Sequence, residues 1–244
     1  MQLAVGGDTA TPINLSCRSA IMREHVAPDN YVLDVGCGRG EYVRNLLTLT
    51  ANTYGIETSA EKLQDCLRLH PELSDRLFAV SVEKMPFPHG CFDVVIVNEA
   101  LEHISDQAAA LAEIRRVLKR DGKLLLFCPN RLFPFETHGF LIRGRLRKWI
   151  PWLNYLPIGL LGRVGIEQVA RNYWPREVKA LLERHGFRVE QRAFVQQTFE
   201  NISGVQPHAV KSLRPLLRHG FRFLGKIPGM RAFVSVSSFL VAKA

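Results

Sequence analysis

Short apolar runs and amphipathic stretches alternate along the first half of the chain. Residues 31–37 (YVLDVGC) form an apolar run that ends in glycines and predict a buried strand. Residues 41–50 predict a helix, and residues 53–57 a second strand. Ser59 has the character of an N-cap for a helix that runs to about Leu69 and is stopped by Pro71. Residues 77–82 and 92–98 predict the third and fourth strands. Within 107–119, Ala108, Leu111, Ala112, Ile114 and Leu118 share one side of a helix. Asp121-Gly122 then turns the chain into a fifth strand at 123–128. The entry segment, residues 1–30, predicts one short helix around 19–26. The strands are apolar on both faces, the pattern of a parallel sheet covered by helices on both sides. The expected fold is therefore α/β, a doubly wound, mostly parallel sheet in one domain spanning 1–244.

The rhythm breaks after Asn130. Residues 131–172 are an insertion rich in Arg, Trp, Pro and Gly. A helix at 175–185, ended by Gly186, and a strand at 187–194 restore the pattern. Residues 195–230 are a second insertion, with an amphipathic helix expected at 210–224, and 231–242 predict the last strand. In the first insertion Ile142, Leu146, Trp149 and Ile150 fall at helical spacing, with Arg143, Arg145, Arg147 and Lys148 between them. In the second, Val210, Leu213, Leu217 and Leu224 make an apolar stripe beside Lys211, Arg214, Arg218 and Arg222.

Charge sharpens this division. Residues 1–129 carry 13 Lys and Arg against 17 Asp and Glu, a net of −4, whereas residues 130–244 carry 19 against 6, a net of +13. The basic character belongs to the second half and suits an anionic partner. Basic amphipathic helices with Trp read as a peripheral membrane contact, or as a lid with a solvated basic face. Nucleic acid fits less well, because the aromatics lie on the apolar side rather than among the cations. The five cysteines are odd in number and form no C-x-x-C pair, which argues against a disulfide framework and for a reducing, cytoplasmic setting. The first residues lack the pattern of a signal peptide, and no run approaches the roughly 20 apolar residues of a membrane span.

The strongest chemical signal is VLDVGCGRG, residues 32–40. A strand enters Gly36-x-Gly38-x-Gly40 and a helix follows, so glycine permits a tight turn and close backbone approach to a ligand. The spacing differs from the dinucleotide pattern G-x-G-x-x-G. Asp34, two residues before the first glycine, would repel a pyrophosphate but accept a cofactor carrying a sulfonium and an amino group. Glu57, at the end of the second strand, is placed to accept two ribose hydroxyls.

VLDVGCGRG, GIE at 55–57, VEKMPFPHGCFDVVIVNEALEHI at 82–104 and DGKLLLFCPN at 121–130 closely resemble the class I S-adenosylmethionine-dependent methyltransferases. The resemblance covers about residues 30–130. It implies a seven-stranded Rossmann-like sheet whose last strand, 235–241, runs antiparallel, and S-adenosylmethionine as cofactor. Asp34, Gly36, Cys37, Gly38 and Gly40 would line its methionine and amino end. Val82 and Glu83 would flank the adenine, although Ser81 stands where many relatives carry Asp. Asn98 and Glu99 would face the methionine moiety and the acceptor.

Glu99-x-x-Glu102-His103 admits three roles. Were the segment helical, Glu99, Glu102 and His103 would share a face and could hold a divalent cation. Similar segments occur in the ubiquinone-biosynthesis O-methyltransferases, where a metal is part of what the resemblance implies. His103 could instead act as general base, with Glu99 beside it, or simply orient the substrate. Within PNRLFPFETHGF, residues 129–140, the P-F-E-T-H-G portion resembles bacterial methyltransferases associated with glycans and lipid-linked saccharides. Glu136 and His138 would there contact a sugar hydroxyl. The sequence thus points to methylation, of the O-type, of a small or lipid-linked acceptor such as a glycan or a quinone precursor. The alternatives are a nucleic-acid (RNA) methyltransferase and a cofactor-binding protein without turnover. The first usually carries (N/D)PP(Y/F) at the fourth strand, where this chain has Asn98-Glu99-Ala100-Leu101.

Overall fold

The computed structural model describes residues 13–135, 138–147, 150, 152–196, 216, 219–227 and 229–244. Its frame is a seven-stranded sheet. The strands are β1 (Val32–Val35), β2 (Thr53–Ile56), β3 (Leu77–Phe78), β4 (Phe92–Asn98), β5 (Leu118–Pro129), β9 (Arg188–Gln196) and β10 (Ser235–Lys243), in the spatial order β3-β2-β1-β4-β5-β10-β9. The first five pair in parallel. β10 runs antiparallel to both its neighbours, as expected for 235–241. The third strand is much shorter than the six residues expected, because only Gly55 and Ile56 of β2 find partners in it.

Helices cover both faces. α1 (Ile13–Arg23) and α2 (Glu41–Leu46) lie on one face, where Met22, Val26 and Leu46 pack on Val32, Val94, Ile96, Phe127 and Phe239. α4 (Gln107–Val117) and α6 (Pro175–Arg184) lie on the other, burying Leu111, Ile114, Val178 and Leu182 against Leu33, Val95, Val97 and Leu126. Adjacent residues of β4 thus serve opposite cores, which is why its sequence shows no polar alternation. α3 (Ala60–Leu69) starts at the predicted cap, the Ser59 hydroxyl accepting from the Lys62 amide at 3.3 Å. Pro71 opens a single 3-10 turn after it. The first helix, Ile13–Arg23, lies earlier than the expected 19–26.

The first insertion differs from expectation. Instead of a helix through residues 142–150, a small antiparallel sheet of order β7-β6-β8 is formed by β6 (Phe140–Ile142), β7 (Arg145–Arg147) and β8 (Ile166–Gln168). The reason is local. Arg143 and Gly144 both adopt positive φ (51° and 72°), the two-residue hairpin turn that matches strand twist and stops a helix. Lys148 and Trp149 lie outside the described residues. α5 (Ile158–Arg163) packs beside β8. In the second insertion residues 219–224 are helical, while Val210, Lys211, Leu213, Arg214, Leu217 and Arg218 lie outside the described residues.

The insertion is tied to the frame by a buried polar knot. Arg131 Nε and Nη2 donate to the Asn154 and Leu156 carbonyls, both at 2.8 Å. The Asn154 amide donates to the Arg131 and Phe133 carbonyls and accepts from Asn172 at 2.7 Å.

Candidate functional site

β1 is buried along its whole length and delivers the chain into the glycine loop. Gly36, Gly38 and Gly40 all stand at positive φ (73°, 57° and 72°), a backbone region that other L-residues occupy at a cost. The three differ in surroundings. A Cβ on Gly36 would meet Ala100 Cβ at 2.8 Å, and one on Gly40 would meet Cys66 Sγ at 2.9 Å, so these two permit close packing. A Cβ on Gly38 would meet nothing within 4 Å, so this glycine faces open space, where a ligand can approach the backbone.

Beneath the loop lies Glu57. Its carboxylate accepts from the Gly38 amide (3.1 Å), the Ser59 amide (3.0 Å), the Thr58 hydroxyl (3.3 Å) and Lys62 Nζ (3.4 Å). Burial by itself would raise its pKa, but the Ser59 amide and Lys62 outweigh it and hold the group below the usual range. The two longest bonds come from Thr58 and the half-exposed Lys62, the partners that two incoming hydroxyls would displace at least cost.

Asp34 is the opposite case. It is fully buried in β1, one carboxyl oxygen has no hydrogen-bond partner, and burial followed by the Glu57 charge pushes its pKa up to about 7. An orphaned acid of this kind favours a cationic ligand group beside it. A cleft of about 340 Å³ opens here, lined by Asp34, Gly36, Gly38, Tyr42, Lys62 and Asn98 among others. A larger cleft of about 650 Å³ lies at the opposite end of β4 and β5 and is lined by none of the candidate site residues. Val82 is buried. Glu83 bonds the Ser81 hydroxyl and the Asp106 amide, joining the loop after β3 to the start of α4.

The segment after β4 does not form the helix that would align Glu99 with Glu102 and His103. Glu99 stands at φ 50°, and only Leu101–His103 make a 3-10 turn. Glu99 instead accepts from Arg18 Nη2 at 2.9 Å and from the Ser237 hydroxyl at 2.6 Å, while Arg18 Nη1 donates to Asn98 at 2.8 Å. Arg18, on α1, is a site residue that the sequence did not mark, since nothing local ties it to a residue 81 positions away. Glu99 is thus paired with Arg18, and the side chain brought beside Glu102 and His103 is instead His138. Glu102, His103 and His138 each present a ligand atom, all within 4.8 Å of one another. The two imidazoles meet edge to face at 5.4 Å. Glu102 is sealed from solvent, neither carboxyl oxygen has a hydrogen-bond partner, and burial then the Glu99 charge raise its pKa well above the ordinary value. Burial, and then His138, lower that of His103. Glu136 lies outside the described residues.

The methyltransferase domain family model matches residues 33–126. An uncharacterized methyltransferase of Schizosaccharomyces pombe is 32% identical over 148 residues, covering 53% of this chain and 52% of that protein. A ubiquinone biosynthesis O-methyltransferase of Rhodopseudomonas palustris is 28% identical over 123 residues, 49% of this chain and 48% of that protein. The chain thus spans about half the length of the curated relatives it matches. The crystal structure of an S-adenosylmethionine-dependent methyltransferase from Mesorhizobium loti shares the fold, with a TM-score of 0.60, 17% identity and coverage of 94% of this chain and 100% of that one.

Proposed function

We propose that this chain, whose residues 33–126 match the methyltransferase domain family model and whose fold is shared with an S-adenosylmethionine-dependent methyltransferase, transfers the methyl group of this cofactor to an oxygen of a small or lipid-linked acceptor, a glycan or a quinone precursor. The observation that carries the reading is the loop over Glu57: three left-handed glycines, one facing open space, above a charged carboxylate and next to an orphaned buried acid. When bound, the cofactor supplies an electrophilic methyl on a sulfonium. In this reading Glu57 binds the ribose hydroxyls, exchanging the bonds from Thr58 and Lys62. Asp34, once ionised, offsets the positive amino end. Val82 and Glu83 border the adenine, and Asn98 with Arg18 and Glu99 orients the methionine portion. Most of the rate then comes from alignment of the two reactants.

His103, held neutral by burial, has a ring nitrogen able to take the acceptor's hydroxyl proton. His138 and Glu136, from the first insertion, would contact the acceptor. The P-F-E-T-H-G segment supports a saccharide, and the R. palustris relative supports a quinone-type acceptor.

Calorimetric titration with S-adenosylmethionine and S-adenosylhomocysteine tests this. Micromolar binding is expected, weakened about a hundredfold or more by Glu57→Ala, as loss of a charge-assisted pair of bonds predicts. Absence of binding to both would overturn the reading. A second reading, a borderline divalent cation at Glu102, His103 and His138, is supported by the orphaned Glu102 carboxyl. Titration with zinc or manganese should then show one site, lost in His138→Ala.

A further inference from the structure

Among the described residues, half of the exposed large apolar side chains, seven of fourteen, lie in the first insertion. Trp152, Leu156, Ile158, Leu160 and Val164 all lie in the first insertion, and Trp152 and Val164 are each 65% exposed. α5, IGLLGR, is apolar on every side but its last residue, yet of it only Leu161 is buried. A helix apolar all round belongs in a non-aqueous setting. One of six residues, with two glycines, also gains little stability by itself in water. A Cβ at Gly159 or Gly162 would meet nothing within 4 Å among the described residues, so there is open space beside both.

The same insertion is rich in cations. Arg145 and Arg147 are exposed on β7, in the small sheet that carries β8, beside which α5 packs, and Arg163 ends α5. None of the three is in a salt bridge among the described residues. Between residues 138 and 172 the sequence has a single acid, Glu167. A second copy of the chain is a poor occupant, because a two-fold contact would bring these arginines against one another. Nucleic acid would satisfy the arginines but leave the aliphatic side chains in water.

We infer that the first insertion, through the exposed apolar residues of α5, Trp152 and the arginines of the β6–β7 hairpin, seats on an anionic lipid bilayer. The aliphatic residues enter the interface, Trp152 lies at the headgroup level, and the arginines meet lipid phosphates. The insertion leaves the frame at the end of β5, and its His138 stands 3.8 Å from Glu102. Docking would therefore bring the acceptor mouth to the membrane. Only this purpose rests on the proposed function; the docking itself does not.

The test is co-sedimentation of the full chain with vesicles of phosphatidylcholine alone and of phosphatidylcholine with phosphatidylglycerol. Binding is expected to the mixed vesicles and to weaken with salt. Leu160→Ser with Val164→Ser, and separately Arg145→Gln with Arg147→Gln, should each weaken it about tenfold or more. Both double variants should keep the wild-type response to S-adenosylhomocysteine, since neither touches the cleft. No binding to the mixed vesicles, or equal binding by the variants, overturns the inference. So does a dimer in sedimentation velocity that the variants dissociate. Vesicle binding without cofactor binding would instead sink the proposed function and leave the docking face standing.

Discussion

The glycine loop and the first insertion lie at the same end of the sheet, and they are built in opposite ways. At the loop nearly every position is determined by packing: Gly36 abuts Ala100, Gly40 abuts Cys66, and the Gly38 amide is bonded to Glu57. The insertion is tied to the frame at its base, where Asn154 joins Arg131, Phe133 and Asn172, and its outer surface leaves Ile158, Leu160 and Val164 in water. The first is acidic, the second basic. The difference teaches that one chain can combine a loop fixed by close packing with an insertion whose outer surface is left uncovered by the described residues.

Three substitutions test that contrast. The largest effect is expected from Gly36→Ala, which forces a Cβ into a left-handed residue and to 2.8 Å from Ala100. Urea unfolding should show a loss of about 3 kcal/mol, and cofactor binding should go with it. Asp34→Asn should act in the opposite direction on stability. The folded carboxyl, raised to about 7 from 3.8, contributes stability that is complete below about pH 3.8 and is lost as the pH rises through about 7. The amide variant should therefore be more stable than wild type at pH 8, on the order of 2 kcal/mol, with the gain vanishing in acid. Its cofactor affinity should fall, and the wild-type affinity should rise with pH through about 7, because a cationic ligand group favours the ionised acid. Asn154→Ala should cost less, about 1.5 kcal/mol, read as faster amide exchange in residues 152–172. Cofactor affinity should stay within about twofold. If Asn154→Ala abolishes cofactor binding as Gly36→Ala does, the frame and the insertion are one cooperative unit and the contrast fails.

Most of the frame was legible in the sequence. β4 lacks polar alternation because both its faces are buried, and that absence is itself a local signal. Ser59 capped the helix it was expected to cap, and β10 ran antiparallel over the predicted residues. Two departures from local spacing share a cause. Residues 142–150 carry a helical spacing of apolar positions, but Arg143-Gly144 turns the chain back within it, and the turn wins because β8 supplies a second partner strand. Glu99-x-x-Glu102-His103 looked like one helical face, but Arg18 and Ser237 draw Glu99 away from the other two.

What the sequence by itself determined is what depends on neighbours along the chain: the strand that feeds the glycine loop, the three glycines, Glu57 at the end of β2, and the segregation of charge between the halves. Tertiary structure decided which side chains share space. Arg18 met Glu99 across 81 positions, and His138 reached Glu102 from the insertion. It also sealed Asp34 so that its carboxyl titrates near neutrality. Such pairings are set by how helices and insertions close over a sheet, and burial converts them into shifted protonation and orphaned groups, neither of which leaves a period or a spacing in the sequence to read.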